Sequence, residues 1–132
     1  MLAFGRPDSW SIKYNMVWEK VFGLGLFTEE ELEREAQWYL EVQEPYGTPL
    51  DNRHHYTKSD WLLWGAALSD SPKIFRHLVC PLHRFLQETP CRTPLTDWYG
   101  TTDRLERGMH HRPVVGGLFI KLLLDKMGSS LG

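Results

Sequence analysis

Three aspartates stand in segments rich in turn residues and aromatic rings, where carboxylates can serve as acids or bases. Asp51 and Asp60 belong to Glu44-Pro45-Tyr46-Gly47-Thr48-Pro49-Leu50-Asp51-Asn52-Arg53-His54-His55-Tyr56-Thr57-Lys58-Ser59-Asp60-Trp61. Asp97 belongs to Arg92-Thr93-Pro94-Leu95-Thr96-Asp97-Trp98-Tyr99-Gly100-Thr101. Hydrolytic chemistry needs a base or nucleophile, an acid for the leaving group, and donors for developing charge. Asp51, Asp60 and Asp97 are the candidates for the first two roles. Arg53, Lys58 and Arg112 offer positive charge, Tyr56 and Tyr99 can donate, and Trp61 and Trp98 can wall off water.

Each of these residues has a structural alternative. Asp60 falls in the first turn of an expected helix, where an acid suits the helix dipole. Ser59 reads as the cap of that helix rather than as a nucleophile. Asp97 can initiate a turn, Asp51 and Arg53 can form a local ion pair, and Arg112 can be a solvated basic residue. His54, His55, His77, His83, His110 and His111 show no metal-ligand spacing, so no metal and no cofactor is expected. The acidic run from Glu29 to Glu35 reads as a solvated face.

Five helices must position these loops. The first, about 11–22, places Tyr14, Val17, Trp18 and Val21 on one face and stops at Gly23. The second opens with a capping box, Thr28 with Glu31, and buries Leu32, Ala36, Tyr39 and Leu40. The third, roughly 59–68, is apolar all round and is expected to be enclosed. The fourth has Ser71 as cap and Pro72 at its first position, and its apolar stripe runs through Pro81, so a kink is expected there. The fifth, about 114–126, is again apolar almost all round, with Gly116-Gly117 inviting close approach of another backbone. No segment alternates long enough to predict a strand, so the expected fold class is all-α.

Amphipathic helices two and four alternate with enclosed helices three and five, the pattern a ring of helical hairpins would write. The long connections, about 44–58 and 87–113, both end at the start of an enclosed helix, on one side of the layer. Asp51, Lys58, Asp60 and Asp97 are therefore expected to share one concavity. Five helices cannot close a ring, so helices three and five should leave apolar faces open to self-association or a partner.

The balance of charge, 15 basic against 17 acidic residues, speaks against nucleic acid as a partner. No stretch approaches the roughly 18–20 apolar residues of a membrane span. The first seven residues lack the basic start and apolar core of a signal peptide. Aromatic residues make up 13% of the chain and many sit among Gly, Pro and charged residues, as in a lined cleft. Cys80 and Cys91 match no zinc or redox spacing, and their state is open.

Together with Ser9-Trp10-Ser11-Ile12-Lys13-Tyr14-Asn15, Phe22-Gly23-Leu24-Gly25-Leu26-Phe27 and Arg112-Pro113-Val114-Val115-Gly116-Gly117, the two loop strings resemble signature blocks of the glutaminase A family. Tyr56-Thr57-Lys58-Ser59-Asp60-Trp61 and Asp97-Trp98-Tyr99 are the most specific. In order and spacing they are similar to the end of that family's six-hairpin domain. The resemblance implies an (α/α)6 toroid of which residues 1–132 form a single partial domain, incomplete on its N-terminal side. It implies an extracellular or cell-surface amidohydrolase converting glutamine to glutamate and ammonia, with this portion inactive alone. In that setting Asp51, Asp60 and Asp97 become base, acid or amine anchor, and Arg53, Lys58 and Arg112 meet the α-carboxylate. No family motif fixes one residue to one role, and the His doublets depart from the family pattern. Two other readings remain: a glycoside hydrolase of the same fold, using two acids and Trp platforms, and a non-catalytic truncated helical module.

Overall fold

The computed structural model describes residues 5–91, 96–110 and 112–130. A 3-10 turn, Tyr14–Met16, leads into α1, Val17–Phe22, which ends at Gly23 in the left-handed conformation (φ 58°). Helix α1 is shorter than the sequence suggests, because residues 11 and 12 bond to the first long loop and Lys13 (φ −93°, ψ 59°) is not helical. Ile12 donates its N–H to Leu50 O at 2.7 Å, and Ser11 bridges Asp51. Helix α2, Glu29–Glu41, begins with the expected capping box: Thr28 Oγ1 accepts from the Glu31 amide at 3.2 Å, and Glu31 accepts from the Thr28 amide at 2.8 Å.

Helix α3, Ser59–Ala66, sits at the centre, against α2, α4 and the segment after residue 112. Its residues Leu62, Leu63, Gly65 and Ala66 are buried, as an all-round apolar helix requires. Gly65 lets two partners lie close: a Cβ there would stand 3.3 Å from Ile12 Cγ2 and 3.3 Å from the Tyr39 ring. Helix α4, Pro72–Glu88, runs unbroken through Pro81 and is capped by Ser71, whose hydroxyl accepts from the Ile74 amide. Its buried Leu78, Leu82 and Phe85 complete the core with Leu32, Ala36, Tyr39, Leu68 and Tyr99.

The fold departs from a purely helical one at the two long loops. Each contributes to a three-stranded antiparallel sheet, β1 (Tyr56–Lys58), β2 (Thr96–Gly100) and β3 (Glu106–His110), in the order β1-β2-β3. β1 is too short for period-2 alternation to be read, and Thr96–Gly100 and Glu106–His110 do not alternate apolar with polar residues. The sheet nevertheless ties the loops to one side, as the connection lengths require. Tyr56, Thr57 and Lys58 pair with Gly100, Tyr99 and Trp98.

The last segment also differs from expectation. Pro113–Phe119 is a 3-10 helix and only Ile120–Ser130 (α5) is α-helical. The close approach is to a side chain: a Cβ on Gly117 would stand 2.8 Å from Trp64 Nε1, and Gly117 O accepts from that indole at 3.0 Å. Helix α5 is not enclosed. Ile120 is buried, whereas Phe119, Leu122 and Leu123 are 64%, 64% and 46% exposed, continuing the uncovered face foreseen for it. Helix α3, by contrast, is covered. Among the described residues no helix is long and apolar enough to cross a membrane. Cys80 and Cys91 are not joined in a disulfide.

Candidate functional site

The loops and the segment before α1 enclose a cleft of about 440 Å³ lined by Ser11, Ile12, Tyr14, Leu50, Asp51, Arg53, Tyr56, Lys58, Trp61 and Trp98. Strand alternation explains the selection. Tyr56 and Lys58 of β1 and Trp98 of β2 share the outer face of the sheet, while Thr57, Asp97 and Tyr99 turn inward. Tyr56 meets Trp98 edge to face with centroids 5.3 Å apart. On the other wall Tyr14 stacks on Trp61 at 3.8 Å, and Lys58 Nζ lies 5.2 Å over the Trp61 ring.

Charge is concentrated at Asp51 and Arg53. Arg53 Nη2 donates to Asp51 Oδ2 at 2.7 Å, and its Nε and backbone N–H both reach Asp51 Oδ1, at 3.1 Å and 2.8 Å. Desolvation pushes the Asp51 carboxyl upward, but its bonds to Arg53 outweigh this and hold it below the usual range. The ion pair foreseen as a structural alternative therefore exists, and it stands in the cleft wall. Behind the wall, Lys13 N–H donates to Tyr39 Oη at 2.8 Å, and Tyr39 donates to Glu35 at 3.0 Å. Glu35 is 3% exposed, so the acidic run of α2 is a solvated face only up to Arg34. Sequence reasoning missed this network, and missed Ser11, Ile12 and Tyr14 as cleft residues. Their only signal was the block from Ser9 to Asn15.

Asp60 and Asp97 do not reach the cleft. They are 3% and 0% exposed and lie beneath the sheet. Burial pushes the Asp60 carboxyl up; the Trp61 amide and its own amide pull it down, and the Asp97 charge pushes it up again, for a net rise. Asp97 Oδ2 is 3.3 Å from Arg112 Nη1, so Arg112 is a partner to a buried acid rather than a solvated base. Tyr99 is fully buried, stacks on Phe85 at 3.9 Å and donates its hydroxyl to Tyr46 O, so it is a core residue rather than a cleft donor. Ser59 is the first residue of α3, not its cap. Lys58 holds the cap position, without a side-chain bond. His54 stacks on Tyr56, His55 Nδ1 meets Glu44 at 2.5 Å, and His110 lies 3.5 Å from Glu106. His111 and the string 92–95 lie outside the described residues. Among those described, no three His, Cys, Asp or Glu side chains converge as a metal site would require.

The glutaminase A six helical-hairpin domain profile matches residues 1–122, a span that includes every residue of the cleft. The chain belongs to the glutaminase A family. It is 36% identical to glutaminase A of Aspergillus oryzae over 127 residues, which cover 93% of this chain and 18% of that protein. It is 38% identical to a probable glutaminase of Arthroderma benhamiae over 107 residues, covering 77% of this chain and 12% of that one. The chain thus spans less than a fifth of the length of these glutaminases. No solved structure matches it significantly. The most specific strings are divided between the cleft and the interior. Tyr56, Lys58, Trp61 and Trp98 face the cleft, and the alternate residues Thr57, Ser59, Asp60 and Asp97 are turned beneath it.

Proposed function

We propose that this chain supplies one wall of a glutaminase-type site, part of an (α/α)6 toroid, that hydrolyses the side-chain amide of glutamine to glutamate and ammonia. The observation carrying this reading is the Asp51–Arg53 pair in an aromatic-lined cleft. Opposite charges side by side complement an α-amino acid head group: Asp51 faces the ammonium, while Arg53 and Lys58 face the carboxylate. Trp61, Tyr14 and Trp98 cover the methylene stem and exclude water, and Tyr56 is placed to donate to the amide oxygen. Asp51 is an anchor rather than a base, because Arg53 engages both of its oxygens. With Asp60 and Asp97 buried, the acid and base for the amide face this wall from other parts of the domain. Turnover by residues 1–132 alone is accordingly slow.

A glycoside hydrolase needs two carboxylates facing the bond it cleaves. What favours the amide reading is the Asp51–Arg53 charge pair, which matches the ammonium and carboxylate of an amino acid and has no counterpart in a neutral glycan. The test is calorimetric titration of residues 1–132 with glutamine, glutamate and a glycan panel, beside ammonia release. Glutamine binding that weakens at least tenfold in Arg53→Met and Asp51→Asn supports the proposal. Glycan binding without glutamine binding overturns it.

A further inference from the structure

Two cations line the cleft, Arg53 and Lys58, and their surroundings differ. Arg53 gives its Nε, Nη2 and backbone N–H to Asp51, at 3.1, 2.7 and 2.8 Å. The Lys58 ammonium makes no hydrogen bond and no ion pair among the described residues. It is half-buried and lies 5.2 Å over the Trp61 ring, which Tyr14 backs in a stack at 3.8 Å. A ring face holds an ammonium in place without taking up its three N–H donors. The acids of the same motif strings do not answer this charge. Asp51 is engaged by Arg53 through both oxygens. Asp60 and Asp97 lie beneath the sheet, 3% and 0% exposed. Lys58 influences the Asp60 carboxyl less than burial, the two amides or Asp97 do.

Local structure puts Lys58 there. It pairs with Trp98 at the end of β1, and α3 begins with the next residue, which returns Trp61 to its side. The cleft thus holds one cation committed to a carboxylate and one that is anchored but uncommitted. We infer that Lys58 is the residue that reads the ligand's α-carboxylate, so that the cleft takes free glutamine and refuses glutamine whose carboxyl group is blocked or joined in a peptide. This assignment rests on the proposed glutaminase reading of the cleft. Arg53 acts through Asp51, because its planar fork fixes the carboxylate that meets the ligand's ammonium. A ligand lacking the α-carboxylate displaces water from Lys58 and gives it no counter-charge, which is how such a site rejects it.

The experiment is calorimetric titration of residues 1–132 with L-glutamine and with L-glutaminamide, whose α-carboxylate is replaced by a neutral amide. The chain is expected to favour glutamine by about tenfold or more. Lys58→Met keeps the length of the side chain and should bring the two affinities within about twofold of each other, and Lys58→Arg should restore the preference. Lys73→Met removes the same charge from the exposed first turn of α4 and should leave the preference intact. Arg53→Lys keeps the charge but not the fork on Asp51, and should weaken both ligands together. A preference that survives Lys58→Met, or one that collapses in Arg53→Lys or Lys73→Met, overturns the assignment. Equal binding of both ligands by the parent chain overturns it too and leaves the glutaminase reading standing. Binding of neither ligand overturns both.

Discussion

Tyr39→Phe removes one oxygen and should disturb both stability and the cleft. The Tyr39 hydroxyl accepts from Lys13 N–H at 2.8 Å and donates to Glu35 at 3.0 Å. Burial, then the Glu35 charge, push its ionisation far above the usual tyrosine range, so it remains a neutral donor at any working pH. The substitution leaves the Lys13 amide without its acceptor and takes the hydroxyl from the Glu35 carboxylate, which keeps the Lys13 ammonium 3.9 Å away, in a site where Tyr39 is 1% exposed. A neutral bond of this kind contributes about 1 kcal/mol and one to a charged group about 1.5–3, giving a loss of about 2–4 kcal/mol. At about 4 °C per kcal/mol for a chain of this size, the melting midpoint falls by roughly 8–16 °C. Lys13 lies between Ile12 and Tyr14, so the segment before α1 loosens, the Tyr14–Trp61 stack opens and, on the proposed reading of the cleft, glutamine affinity falls. Urea unfolding and calorimetric titration at a temperature where the variant is folded measure the two effects. Glu35→Gln keeps an acceptor for Tyr39 and should cost less. A loss below about 1 kcal/mol would refute the energetic reasoning, and a full loss with unchanged affinity would show that this network does not position the cleft.

Asp60→Asn should raise stability at neutral pH, because the folded chain binds the Asp60 proton more tightly than the unfolded chain does. The sign follows from that raised pKa: the native state is favoured at acid pH and loses stability as pH rises through the folded pKa. The gain on substitution must therefore shrink as pH falls below that value. Midpoints of both chains across pH test this, and a gain that grows toward acid would refute it. Gly117→Ala drives a methyl to 2.8 Å from Trp64 Nε1 and 3.1 Å from Asp60 Cβ, and should cost about 1–3 kcal/mol in urea unfolding; Gly116→Ala, with nothing within 4 Å, is its control. The exposed Leu122 and Leu123 of α5 should drive self-association, so Leu122→Lys is expected to lower the apparent mass on size exclusion; an unchanged profile would clear this face.

Local chemistry and periodicity determined much of this protein. The capping box at Thr28 and Glu31, the Ser71-Pro72 start of α4, its passage through Pro81 and the enclosed α3 all follow from bonds and faces set within one helix. The motif strings carried the family, and loop lengths put both long connections on one side. What only tertiary structure decided lies between segments distant in sequence. Strands of three and five residues gain their bonds from one another, so neither shows a pattern of its own. That pairing turns Lys58 and Trp98 outward and Ser59 and Asp97 inward, and so separates cleft residues from buried ones within a single motif. Glu35 looks solvated on its helix because its partners, Tyr39 and Lys13, come from a buried face and from a segment 22 residues earlier. Helix α5 has an apolar pattern fit for burial, yet nothing among the described residues covers Leu122. Composition states what a face can bury, and only the arrangement of the other elements decides whether it does.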